Sequence, residues 1–377
     1  YQLLGDELDG PRGRIYQIKQ FLEGSPPTRI LQQHLDRCLT CRSCETTCPS
    51  GVDYHHLLDI GREQLEQQLP RPWWQKVQRK GLLYLFSTHQ LFAFSLASAR
   101  LLRPLLPNKL RHKIMPRPAS IREVSLPTTR HMLMLDGCVQ AAIAPNINQA
   151  AKQVLAHLGV DLRTTETVAC CGALPQHLSA PDKARAMARH NIDAWYPALQ
   201  AGAEAIVITA SGCGAQVQDY PHLLQADTDY AEKACYVASK AKDLVEILQQ
   251  EDLGQLPLKA SRGDTAVHTP CTLQHALGLD GKVEQLLRSL GYPLQAVAEG
   301  HLCCGSAGTY SITQAEISTQ LRQRKQQALT INQPTRIVTA NIGCLNHLYE
   351  EQGTPIMHWI NLIESDLEAS QGATASQ

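Results

Sequence analysis

Cys170-Cys171-Gly172 returns as Cys303-Cys304-Gly305, and this recurrence decides how the chain is read. Around the first triplet stand Asp136-Gly137-Cys138 and Ser211-Gly212-Cys213; around the second stand Cys271 and Gly343-Cys344. The counterparts of Cys138, Cys170 and Cys171 follow 133 residues later, and that of Cys213 follows after 131. Three equal offsets joined to two identical triplets define an internal duplication. Each half gathers four thiols, which is the donor chemistry of a metal ion or cluster.

Composition sets the bounds. The chain has 377 residues, 43% of them hydrophobic, enough for two or three packed domains. Its formal net charge is zero, so overall charge predicts no nucleic-acid partner. Thirteen cysteines exceed ordinary core use, while the chain is too long for a small disulfide scaffold. Reduced thiols holding metal in the cytoplasm fit better. No secretory signal opens the chain, and its first residue is Tyr1 rather than Met, so further sequence upstream is expected.

A third cysteine group lies at Cys38-Leu39-Thr40-Cys41-Arg42-Ser43-Cys44-Glu45-Thr46-Thr47-Cys48-Pro49. This is the C-x2-C-x2-C-x3-C-P run of bacterial ferredoxins. Three thiolates two residues apart wrap one face of a 4Fe-4S cube, and the turn at Pro49 carries the fourth towards a second cluster. Cys38, Cys41 and Cys44 then need a partner and Cys48 needs a cluster, so two 4Fe-4S clusters shared with a motif upstream of Tyr1 are expected. A zinc knuckle is the alternative, although zinc sites usually pair two C-x2-C units.

Residues 53–69 have a helical pattern, and then the character changes. From Gln67 to Arg122 there is no Asp or Glu, and eleven Lys or Arg residues flank Leu82–Ala99, a stretch without formal charge. Its length approaches that of a spanning helix, but its Ser, Thr, His and Gln content argues against a span. Two readings remain: a helix lying on an anionic membrane surface, or a helical hairpin packed on the next domain or a partner.

Beyond Pro118 strands and helices alternate. Strands are expected at 131–136 and 205–209 in the first copy and at 266–269 and 336–339 in the second, with helices at 147–158, 181–199, 283–290 and 314–331. Each strand delivers a cysteine into a Gly-containing turn before a helix, the edge at which open α/β sheets collect ligands. Gly172, Gly212, Gly214, Gly305 and Gly343 are read as letting the backbone approach an anionic cluster and donate hydrogen bonds. The first copy carries an insertion holding Cys235, which is expected to be a buried thiol.

Two Cys-Cys-Gly domains behind a ferredoxin module resemble the iron–sulfur subunits shared by heterodisulfide reductases, lactate-utilisation proteins and bacterial glycolate oxidase. The opening Tyr1-Gln2-Leu3-Leu4-Gly5-Asp6-Glu7-Leu8-Asp9-Gly10-Pro11-Arg12-Gly13-Arg14-Ile15 is most similar to the glycolate oxidase iron–sulfur family. The resemblance implies a FAD-containing glycolate-oxidising subunit and a second flavoprotein-like subunit as partners. It also implies electron delivery to a membrane or quinone acceptor, and a cytoplasmic location peripheral to the inner membrane. Fuller members end each repeat in C-x-x-C, where this chain has Gln216 and His347. Four cysteines remain per repeat, enough for one ordinary cubane each.

The expected fold class is α+β overall: an incomplete helical ferredoxin-like N-terminal module followed by a duplicated α/β Cys-Cys-Gly domain pair. The expected layout is a ferredoxin-type module over 1–69, linker helices over 70–125, Cys-Cys-Gly domains over 126–255 and 256–367, and a flexible tail over 368–377. Cofactor ligands are expected at Cys38, Cys41, Cys44, Cys48, Cys138, Cys170, Cys171, Cys213, Cys271, Cys303, Cys304 and Cys344, with one or two clusters in the repeats. No catalytic residue is assigned, and His177, His268, His275, His301 and His347 are read as structural or supporting. Electron transfer is the leading function. The alternatives are substrate chemistry at the repeats, as in a lactate dehydrogenase or heterodisulfide-reductase-like complex, and one metal-free repeat that serves only to dock partners.

Overall fold

The computed structural model describes residues 2–105, 114–121, 126–165, 168–259 and 263–367; the expected tail at 368–377 lies outside them. The N-terminal part is helical: α1 (Pro11–Leu22), α2 (Arg29–Asp36), α3 (Ser43–Thr46) and α4 (Tyr54–Gln68). Pro11 opens α1, where its missing N–H has no helical partner to lose, and the Thr28 side chain caps α2 by accepting from Leu31 N–H. Ile18, Phe21, Leu31, Leu35, Tyr54, Leu58 and Leu65 form its core. Asp9, buried, gathers His34 (2.9 Å), Arg37 (2.9 Å) and Arg14 (3.3 Å), so the opening stretch serves to lock these helices together. Burial pushes the Asp9 carboxyl up, but the His34 hydrogen bond and the two guanidiniums overcome it and hold the group below its usual range.

The uncharged stretch Leu82–Ala99 is not one helix. It divides at Thr88 between α5 (Trp73–Ser87) and α6 (His89–Leu102), which meet at 94°. α6 packs on the next domain: Phe92 is buried in its core, and Arg100 donates to the carbonyls of Met115, Ala142 and Ile143. Of the flanking cations, Arg71 and Arg79 bind Asp36, and Arg103 binds Glu351. Lys76 and Lys80 stay exposed, as do Trp73, Trp74, Val77 and Tyr84. Among the described residues, no single helix is long and apolar enough to cross a membrane.

Two four-stranded, all-parallel sheets follow, with the same strand order. The first is β2-β1-β3-β4, from β1 (Arg130–Leu135), β2 (Val160–Thr164), β3 (Ile206–Ile208) and β4 (Ala241–Asp243). The second is β6-β5-β7-β8, from β5 (Thr265–His268), β6 (Leu294–Gln295), β7 (Arg336–Thr339) and β8 (Ile356–His358). Register confirms the duplication, since Leu135 pairs with Ile208 in one sheet and His268 with Thr339 in the other. The order reverses between β1 and β3, and between β5 and β7, so both carboxyl edges form a switch-point crevice.

The two sheets share one apolar core, in which Met134, Ile147 and Val154 of the first repeat meet Val338, Trp359 and Ile360 of the second. His358 Nε2 donates to Thr209 O (2.9 Å) across the boundary, and Asn361 donates to Asn146 O (3.0 Å). The insertion of the first repeat forms the helices Tyr220–Leu223 and Ala231–Lys240. Cys235 is exposed there, contrary to the buried thiol expected: the latter helix buries Ala234, Val237 and Ala238, and Cys235 falls on its other face.

Candidate cluster site

The cysteines of each repeat come from strand ends and the turns beside them. Cys138 follows β1, and Cys213 stands in the first turn of the helix Ser211–Gln218 after β3. In the second repeat Cys271 follows β5, and Cys344 stands in the first turn of Ile342–Leu348 after β7. The Cys-Cys pairs come in beneath them. The Cys138 and Cys170 sulfurs are 3.3 Å apart, those of Cys271 and Cys303 3.8 Å, and those of Cys304 and Cys344 3.2 Å. All eight thiols line one cavity of about 460 Å³ between the repeats.

Such crowding splits the acidities. Thiol hydrogen bonds from Cys138 and Cys171 pull Cys170 well below its ordinary value, and those from Cys271 and Cys304 do the same to Cys303. The donors Cys138, Cys171, Cys271 and Cys304 are pushed well above it. Four thiols this close cannot all ionise unless a positive centre lies among them.

The glycine of each triplet has a double role. Gly305 N–H donates to Cys303 Sγ (3.4 Å), as a backbone approaching sulfur should. Its missing side chain also admits the helix Ala315–Thr330: at φ +89° a Cβ would lie 2.8 Å from Ser318 O. Gly172, at φ +92°, does the same more loosely, 3.3 Å from Ala184 O.

The ferredoxin-type loop meets the same cavity. Leu39, Thr40 and Arg42 line it, and Cys41 is within electrostatic reach of Cys303 and Cys271. Burial pushes the Cys41 thiol up to about 12 and the Cys44 thiol up to about 11. Thr40 and Arg42, on either side of Cys41, hold left-handed φ angles of 54° and 59°, the kind of local strain that persists at functional loops. Cys38 accepts from Thr40 N–H and Tyr54 O–H. None of the four loop cysteines is itself in the cavity lining, and backbone N–H groups of Val52, Ser50 and Gly51 hold the Cys48 pKa below its ordinary value.

The module is fastened to both repeats. His56 bridges Asp53 (2.6 Å) and Asp219 (2.8 Å) and stacks on His222, with centroids 3.4 Å apart. Gln176 donates to Asp59 (2.7 Å), Thr46 meets His275 (2.8 Å), and Tyr310 donates to Arg37 O (2.9 Å). His275 is therefore a docking residue, and His347 bonds Ser318 Oγ (3.2 Å). His177 lines the cavity, where burial and Arg62 push it down to about 4. Gln216, at the other departure from C-x-x-C, lines the cavity with its amide nitrogen buried and without a partner among the described residues.

The profile "Cysteine-rich domain" matches residues 132–218 and 265–349, the two sheets with their cysteine sets. The glycolate oxidase iron-sulfur subunit of Escherichia coli K12 is 51% identical over 98% of this chain and 90% of its own length. The chain belongs to the glycolate oxidase iron–sulfur subunit family. A probable member of that family from Bacillus subtilis 168 is 29% identical over 90% of this chain and 82% of its own. Lactate utilization protein A of Exiguobacterium is 28% identical over 58% of this chain. A crystal structure of a hypothetical protein from Helicobacter pylori shares the fold, with a TM-score of 0.59 at 10% identity over 95% of this chain and 68% of that one.

An iron–sulfur subunit must neutralise clusters, and the residues here suit one. Lys325 is fully buried, has no carboxylate partner among the described residues, and lies within electrostatic reach of Cys304, Cys303, Cys344 and Cys271. A buried cation without a counter-ion is costly unless an anionic group shares its site. His268 is equally buried, and one ring nitrogen lies within 4.8 Å of the Cys304 and Cys344 sulfurs, close enough to join Cys304 in lowering the Cys344 pKa by hydrogen bonding. Lys325 carries no signal in a cysteine motif; it is found only by noticing that it falls on the buried stripe of its helix with Ser318, Leu321 and Ala328.

Proposed function

We propose that this chain is the electron-carrying subunit of a glycolate dehydrogenase complex, taking electrons from a FAD-containing partner and passing them towards quinone. The convergence of both four-cysteine sets and the ferredoxin-type loop on one cavity carries this reading. The ligands proposed are Cys138, Cys170, Cys171 and Cys213 for one cluster and Cys271, Cys303, Cys304 and Cys344 for another. Cys38, Cys41 and Cys44 serve a 4Fe-4S cluster in the helical module over 1–69, and Cys48 serves a further one. Bound there, the clusters would supply one-electron transfer, for which little acid–base machinery is needed.

The chain's own residues hold sulfur in place and keep water out. Gly305 N–H donates to Cys303 Sγ, and Asn341 donates to Cys344 Sγ (3.7 Å). Asn191 fixes the first Cys-Cys pair by donating to Cys170 O (3.1 Å), and Tyr220 donates to Cys171 O (2.9 Å). The division into linker helices over 70–125 and repeats over 126–255 and 256–367 follows the same reading.

The linker helices suggest peripheral membrane association. Trp73, Trp74 and Tyr84 are exposed beside Lys76 and Lys80, with no acidic residue between Gln67 and Arg122, which suits the headgroup region of an anionic bilayer. The deciding experiment uses the chain assembled with its flavin-bearing partner under anaerobic conditions. Adding glycolate should reduce the iron–sulfur signals in the EPR spectrum, and a quinone should reoxidise them. Signals that stay oxidised while the flavin is reduced would sink the proposal.

A further inference from the structure

The two repeats are built alike but charged differently behind their cysteines. Register places Leu135 where the second repeat has His268. The helices packed beneath the triplets align through the contacts Gly172–Ala184 and Gly305–Ser318, and this alignment sets Asn191 against Lys325. Asn191 is neutral and fully satisfied, accepting from Ala169 N–H and donating to Cys170 O and Tyr220 Oη. Lys325 brings an ammonium group to 0% exposure, where among the described residues it donates to the carbonyls of Glu299 (3.0 Å) and Gly300 (3.1 Å). The cation within reach of the first set, Lys183, is exposed and screened by solvent.

We infer that Lys325 and His268 raise the reduction potential of the second cysteine set above that of the first, so that a single electron shared between them rests on the second. The inference rests on the proposal that both sets hold iron–sulfur clusters. In the step considered, the first set is oxidised as the second is reduced by one electron, and no proton or further reactant is needed. Reduction adds one negative charge, and cluster potentials follow net charge, hydrogen bonds to sulfur and solvent exposure. Lys325 offsets that charge at short range in a dry site, where Coulomb interactions are least attenuated. His268 can donate an N–H towards Cys304 or Cys344, whereas Leu135 has nothing to donate. The deeper burial of Cys344 compared with Cys213 pulls the other way, and a whole buried charge outweighs it. Cys41, within reach of Cys303, places the module's cysteines next to the set on which the electron rests.

The test is an EPR-monitored redox titration of the full chain loaded with clusters, with iron and sulfide measured in every sample. A Cys303→Ser/Cys304→Ser variant assigns the second-set signal. In wild type that signal should titrate above the first-set signal. Lys325→Met should retain its iron and shift the second-set signal downward by at least a tenfold change in the reduced-to-oxidised ratio, about 59 mV for one electron. The first-set signal should stay put. His268→Leu should move the same signal in the same direction, and Lys325→Arg should restore it. If Lys325→Met does not fold, His268→Leu and Lys325→Arg carry the test. Unchanged second-set midpoints with iron retained, or a wild-type second set titrating below the first, would overturn the inference and leave cluster binding standing. A double-serine variant that loses neither iron nor signal would instead overturn cluster binding, and the inference with it.

Discussion

Replacing Gly305 with alanine isolates the contact on which the second cysteine pair rests. At φ +89° an alanine is in left-handed space, which costs about 1–2 kcal/mol. Its Cβ would also stand 2.8 Å from Ser318 O, 3.2 Å from Ser318 Cα and 3.1 Å from Leu321 Cβ, so the helix Ala315–Thr330 must move. Overpacking of this kind adds roughly 1–3 kcal/mol. Gly172→Ala has a similar conformational cost at φ +92°, but its nearest contact is 3.3 Å. Gly278→Ala, at φ +67° with nothing within 4 Å, carries the conformational cost alone. Urea denaturation of the full chain should therefore rank Gly305→Ala as most destabilised, by about 2–5 kcal/mol, with the other two near 1–2. Gly305→Ala should also lose iron first, because the same shift moves Gly305 N–H from Cys303 and carries Lys325 with the helix. Equal losses for Gly305→Ala and Gly278→Ala would refute the close-approach argument.

The seam between the helical module and the first repeat should be pH-dependent. Burial opposes the charging of His55, but the ion pair with Asp219 (3.5 Å) and the hydrogen bond to Glu45 (3.0 Å) hold it at about 9, against 6.5 when free. Its stabilising contribution is thus complete below 6.5 and lost as the pH rises through about 9. Glu45, held at about 2 against burial by His55 and Arg42, contributes above 4.5 and is lost as the pH falls through about 2. Hydrogen-exchange protection of α4, taken relative to the intrinsic rate at each pH, should be greatest between these limits, and His55→Gln should flatten the alkaline limb. Asp243 has the opposite sign: burial pushes it up to about 7 from 3.8, so its contribution is lost as the pH rises through about 7. Its Oδ2 has no partner among the described residues, and Asn caps a helix equally well, so Asp243→Asn should stabilise the chain at pH 8 by roughly 1–4 kcal/mol in urea titrations. Trp73→Ser/Trp74→Ser should weaken co-sedimentation with anionic vesicles severalfold without altering iron content; unchanged binding would assign α5 to a protein partner.

Much of the fold was legible because the cysteines mark the strand ends. The offsets between Cys138 and Cys271 and between Cys170 and Cys303 disclosed the duplication, and the strand, cysteine, glycine, helix pattern implied parallel sheets with their ligands at one edge. Strands β1, β3, β5 and β7 were readable as short apolar runs, since parallel strands buried on both faces are continuously hydrophobic. The break at Thr88 was not readable. Hydropathy runs unbroken through Leu82–Ala99 because Leu85 and Phe86 of α5 and Phe92 and Leu96 of α6 all pack against the same core. Cys235 was legible in principle, because the spacing of Ala234, Val237 and Ala238 leaves it on the outer face. Lys325 and His56 were not: their meaning lies in what the tertiary fold sets beside them, the second cysteine set and Asp219.

Iron and acid-labile sulfide per chain, measured after anaerobic reconstitution, test most directly whether both repeats are cluster sites. Relative to wild type, Cys170→Ser/Cys171→Ser and Cys303→Ser/Cys304→Ser should each lose about four iron atoms, and the two losses should add. If either variant keeps its iron in full, that repeat holds no cluster and the relay through the shared cavity is contradicted.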